Sequence, residues 1–80
     1  MKDWYVTFPF GTRLEIGVDL LNMSERFVIV RARTYAEAME TIRNRFGDVG
    51  AQILTEEQFP DTRRAFYPLG ECLTLVRGAD

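Results

Sequence analysis

The sequence contains no histidine, one cysteine, one lysine and three prolines. Without imidazole there is no Ser-His-Asp or Cys-His catalysis, no His-ligated zinc and no side chain that titrates near neutral pH when unperturbed. The single cysteine, Cys72, forms no intrachain disulfide and supplies no metal ligand set, which fits a reducing compartment. No apolar run approaches the ~20 residues of a membrane helix, and the opening residues carry no signal-peptide pattern. A cytoplasmic protein with no membrane partner is therefore expected. Neither G-x-x-x-x-G-K-[ST] nor G-x-G-x-x-G occurs, so Gly47, Gly50 and Gly70 do not form a phosphate loop. No cofactor and no metal are expected.

What is present is globular. Eighty residues, 46% hydrophobic and 28% charged, with six Phe, three Tyr and one Trp, allow one domain spanning 1–80. Size scaling gives about 63% burial of the unfolded surface, enough for one small core. The net charge of −2 is neither a polybasic coat nor a strongly acidic mimic of nucleic acid. Nine of the ten basic residues are Arg, the better choice for bidentate and stacked contacts.

Trp4-Tyr5-Val6-Thr7-Phe8 is rich in β-branched and aromatic residues and predicts a strand over 4–10, ended or held at an edge by Pro9. Leu14, Ile16, Val18 and Leu20 alternate with Glu15, Gly17 and Asp19, which predicts a half-buried strand with a bulge at Gly17. Residues 26–33 form the strongest strand, apolar on both faces in its first half and so central. Thr34 and Glu37 make a capping box. Tyr35, Ala38, Met39, Ile42 and Phe46 form one helical stripe, and Gly47 is a terminator. The helix is placed at 34–46. A short strand at 51–54, a helical turn at 55–58 ended by Pro60, an irregular stretch at 60–70, a strand at 71–76 and a frayed 78–80 complete the reading. The expected fold is α+β: a mainly antiparallel sheet of four to five strands, with the helix packed on one face.

Three groups of residues bear on function. Glu56, Glu57 and Asp61 are the densest carboxylates; they serve either acid–base or metal chemistry or a helix N-terminus. Adjacent helical residues point about 100° apart, which disfavours convergence on one ion. Cys72, among apolar neighbours, reads as a small buried hydrophobe. The arginines are more informative. Arg31 and Arg33 project from one side of the central strand with Tyr5 opposite, and Arg63 and Arg64 form a second pair. Such a surface binds protein, stacks single-stranded nucleic acid, or stays solvated with salt bridges to Glu15, Asp19 and Glu25. The net acidity favours a protein partner, with Tyr5, Arg31, Arg33, Arg63 and Arg64 as the binding residues and no catalytic residue. Leu20, Leu21 and Met23, beside an edge at 14–20, offer a homodimer contact.

The aromatic opening strand, with Phe46-Gly47-Asp48 and Thr55-Glu56-Glu57-Gln58-Phe59, resembles a group of small phage and prophage proteins. Their corresponding segment reads F-G-[DT]-x-W-A-F-Q-Y-T-E-E-[EQ]-F. Here Gly50 replaces the Trp, and Gln52 and Leu54 replace the aromatic Phe and Tyr. The matching parts cover about half the chain. The resemblance implies a phage accessory protein acting in the cytoplasm of an infected or lysogenic bacterial host, with no known reaction. By analogy of size and context, the expected function is a non-enzymatic antagonist of host defence. The expected partner is a CRISPR effector complex, bound as by an anti-CRISPR protein so that its nucleic-acid path is blocked. The alternative is an accessory protein binding single-stranded nucleic acid through the Arg and Tyr face.

Overall fold

The computed structural model describes residues 1–76; the expected fraying of 78–80 lies outside the described residues. Six strands and two helices follow in order: β1 (Lys2–Thr7), β2 (Arg13–Ile16), β3 (Asp19–Asn22), β4 (Arg26–Ala32), α1 (Tyr35–Phe46), β5 (Gln52–Leu54), α2 (Asp61–Arg64) and β6 (Gly70–Val76). A 3₁₀ turn at Met23–Glu25 joins β3 to β4. The fold is α+β as expected, with a four-stranded sheet ordered β5-β1-β4-β6 and a separate ribbon of β2 and β3.

β1 runs antiparallel to both β4 and β5, with Tyr5 facing Ile29 on one side and Leu54 on the other. The sheet is mainly antiparallel as expected; the exception is β6, which lies parallel to β4. The long connection across the sheet explains this. After β5 the chain crosses to the opposite edge and enters β6 in the direction of β4, a geometry that a hairpin cannot give. The β4–β6 ladder shifts at Phe27/Val28, making Cys72 the extra residue of a bulge.

The alternating run at 14–20 is not one strand. Gly17 adopts φ 65°, and Gly17-Val18 is the two-residue turn of a hairpin pairing Leu14 with Leu21 and Ile16 with Asp19. Period two continues through such a turn, so alternation alone conceals it; a glycine at the first turn position is the signal for it. One side of the hairpin, through Leu14, Ile16 and Leu21, joins the core. Met23, expected near an exposed edge, is fully buried there.

The helix forms as its sequence dictates. Thr34 Oγ1 accepts from the Glu37 backbone N–H at 3.2 Å, and Glu37 Oε1 accepts from the Arg33 N–H at 3.1 Å. Gly47, at φ 80°, ends it with its N–H donating to the Arg43 carbonyl at 2.8 Å. Ala38 and Ile42 are buried against Trp4, Val6, Val28, Val30, Ala32 and Ile53. The Trp4 indole N–H donates to the Ala32 carbonyl at 3.1 Å, satisfying a polar group inside this core. Tyr35, read as part of the apolar stripe, is exposed and touches Trp4 edge-on with centroids 6.1 Å apart.

The opposite face carries a second core of Tyr5, Phe27, Leu54 and Phe59, with Ile29 and Tyr67 against it. It is closed by the crossing 55–69, hereafter the arch. Thr55 and Gln58 exchange reciprocal capping hydrogen bonds at 3.0 and 3.2 Å, which close the helical turn expected at 55–58. The turn does not propagate as a helix, because a residue before proline is steered out of helical conformation. Pro60 instead caps α2, its carbonyl accepting from Arg63 and Arg64 N–H groups at 2.9 Å each. The stretch read as irregular is therefore the cover of the second sheet face.

Candidate protein-binding surface

The five residues singled out by sequence have different fates. Tyr5 is only 7% exposed, and its ring stacks on Phe59 at 5.0 Å and 18°. This corrects the expectation of a surface tyrosine: strand alternation sends it to the second face, and the arch covers that face. Its buried ring offers no open side for a base to stack on.

Arg64 explains much of this cover. Its guanidinium carbon lies 5.2, 5.6 and 5.7 Å from the ring centroids of Tyr5, Phe59 and Phe27. A flat, delocalised cation over ring faces is an attractive arrangement, and guanidinium fits it better than ammonium. Arg64 and Tyr5, distant in sequence, are thus one unit. Arg63 turns toward β5, where its Nη2 donates to Gln52 Oε1 at 3.5 Å.

Arg31 lies opposite Asp3 in the β1–β4 ladder and donates from Nε to Asp3 Oδ1 at 3.0 Å. The pair is well exposed to solvent. None of Glu15, Asp19 and Glu25, weighed from sequence as partners for the arginines, forms an ion pair with Arg31, Arg33, Arg63 or Arg64 among the described residues. Arg33 lies beyond the end of β4, its backbone engaged in the helix cap and its side chain exposed. Arg31 and the arch pair share one side of the sheet, while Arg33 is set at the strand's exit.

Sequence reasoning missed the aromatic residues that organise this side. Phe59 is buried, Tyr67 is half-buried, and Phe66 is 76% exposed. Phe66 follows the Arg63-Arg64 pair on the same arch. The signal was available: large aromatics flank two arginines in a stretch too apolar for an ordinary solvated loop.

The carboxylates do not converge. Glu56 and Glu57 border an open depression of about 390 Å³ with Asp3 and Trp4, and Asp61 is not in its lining. Among the described residues no group of three or more His, Cys, Asp or Glu side chains is placed to hold a metal ion. Burial pushes the Cys72 thiol pKa up, opposed in part by the Arg26 cation. Cys72 accordingly favours the neutral thiol over the reactive thiolate. No described helix is long and apolar enough to cross a membrane.

Compared with known proteins, the chain matches no family model, no curated protein and no solved structure.

Proposed function

We propose that this chain is a non-enzymatic binding protein whose arch side docks on another protein. The observation that carries the reading is Phe66, a large aromatic left 76% exposed beside Arg63 and Arg64 on a segment otherwise anchored by buried rings. Aromatic and arginine side chains on a rigid support are the residue types that dominate binding energy at protein interfaces. The Arg64 guanidinium lies within 6 Å of three ring centroids, contacts that narrow its rotamer freedom before it binds. Arg31 extends the basic character of the same side.

The resemblance to small phage and prophage proteins gives the proposal its partner: a host defence complex, a CRISPR effector foremost, within the cytoplasm of an infected or lysogenic bacterium. Occupying such a complex blocks its path for nucleic acid. Binding of single-stranded nucleic acid by the chain itself is the competing reading.

Affinity capture from infected host cells tests it, comparing wild type with Phe66→Asp and Arg31→Glu. One host complex is expected on wild type and is lost from Phe66→Asp. No specific host protein, together with unchanged phage survival, sinks the proposal. Salt-dependent retention of a single-stranded oligonucleotide that needs Arg31 and Arg33 supports the competing reading instead.

A further inference from the structure

The four-stranded sheet has two unlike edges. β5, at one edge, is only three residues long. So short an edge strand offers little for another chain to pair with. β6, at the other edge, runs for seven residues, and its outer side pairs with no strand among the described residues. It contains no proline and no lysine, and Glu71 is its one charge. Its bulge at Cys72 lies near the start and leaves Leu73 to Val76 in regular register with β4. The usual devices against edge pairing are thus missing along most of its length.

Register fixes what this edge presents. Leu73 and Leu75 lie beside Val28 and Val30, on the face that carries α1. α1 packs over β4 and β5, and the two leucines stay half-buried. Thr74 and Val76 lie beside Ile29 and Arg31 on the arch face, and both are exposed.

We propose that β6 pairs with β6 of a second copy, antiparallel about a two-fold axis at Thr74, so that two four-stranded sheets become one. A two-fold axis perpendicular to the sheet reverses the strand direction and keeps both helices on the same face. Directly opposed side chains then share a face. Leu73 of each copy meets Leu75 of the other, and each covers the exposed part of its mate. Thr74 meets Thr74 on the arch face, with no charge at the axis. The two Glu71 carboxylates end ~20 Å apart along the ladder, more than two Debye lengths at physiological salt. Parallel pairing in register would set them side by side, which is unfavourable. The edge therefore matches itself in one direction, and that match selects a second copy over a foreign strand. The contact is isologous, so the assembly closes at two copies. One ladder with two leucine pairs is a small interface, which suits a reversible dimer. The dimer does not depend on the partner proposed for the arch.

The test is analytical ultracentrifugation of the full chain across roughly 1–500 μM, with circular dichroism to confirm folding. Wild type is expected to dimerise. Thr74→Lys, at an exposed position, sets two cations face to face at the axis and is expected to weaken the dimer at least tenfold while the fold is kept. Mild oxidation reads the register independently, in a Cys72→Ala background that leaves no other thiol. Directly opposed residues of an antiparallel pair have Cα atoms about 4.5–5.5 Å apart, inside the span that a disulfide bridges. Thr74→Cys is therefore expected to form a covalent dimer, and Glu71→Cys is not. If Thr74→Lys fails to fold, this pair of cysteine variants decides alone. A monomeric wild type leaves the edge to some other chain and overturns the proposal. So does a dimer unmoved by Thr74→Lys, or a Glu71→Cys chain that cross-links as readily as Thr74→Cys.

Discussion

Phe59→Ala tests whether the arch shares the core or merely lies on it. Phe59 is 2% exposed and meets Tyr5 and Phe27 at 5.0 Å and Tyr67 at 5.7 Å. Truncating a buried Phe removes its transfer free energy and leaves a cavity, together about 3–5 kcal/mol. Here the higher half of that range is expected, because three ring contacts and the seat of the Arg64 guanidinium are lost together. A domain of this length has only ~4–12 kcal/mol of stability in all. The variant should therefore lose about 4 kcal/mol in urea unfolding, with Tm falling on the order of 15–30 °C. Phe66→Ala, removing an exposed ring from the same arch, should stay within about 0.5 kcal/mol of wild type. A Phe59→Ala loss below about 1 kcal/mol would refute the reasoning, because the second sheet face would then be stable without its cover.

Two smaller perturbations follow from the same structure. Thr34→Ala removes the cap on α1 and should cost about 1 kcal/mol in the same urea titration, while Thr34→Ser should recover most of it. Cys72 holds its proton more tightly in the folded chain than in the unfolded one, chiefly through burial. This contribution to stability is full below the ordinary thiol value of 9.0 and is lost as pH rises through the higher folded value. Cys72→Ala should flatten that alkaline decline, and wild-type Cys72 should react with a thiol reagent faster after unfolding than before.

The elements governed by local rules were legible in the sequence. α1 follows from Thr34, Glu37, its apolar stripe and Gly47, all within one short stretch. β4 follows from apolar residues on both faces, and the structure buries Phe27 on one side and Val28 on the other. What was illegible depends on long-range placement. Nothing near Glu71–Val76 states whether its neighbour runs parallel, because the arch decides that. Nothing beside Tyr5 states that Arg64 and Phe59 will lie over it. The hairpin at Gly17-Val18 fails for a different reason: its residues keep alternating through the turn, so periodicity reports one strand where the backbone reverses.

That placement also changes what the arginine excess means. An arginine over three rings contributes to folding and to surface charge at once, so an Arg64 variant confounds a binding defect with a loosened core. Arg31 does not have this ambiguity. Its pair with Asp3 is exposed on both sides, and such surface pairs contribute only ~0–1 kcal/mol. Phe66 is separable for the same reason, since exposed atoms take little core packing with them when removed. Substitutions at Arg31 and Phe66 therefore report on partner binding, whereas those at Tyr5, Phe59 and Arg64 report first on whether the arch is seated. A partner kept by both Arg31→Glu and Phe66→Asp would move the docking surface off the arch side and onto another face of the same scaffold, whatever Arg64→Ala does to it.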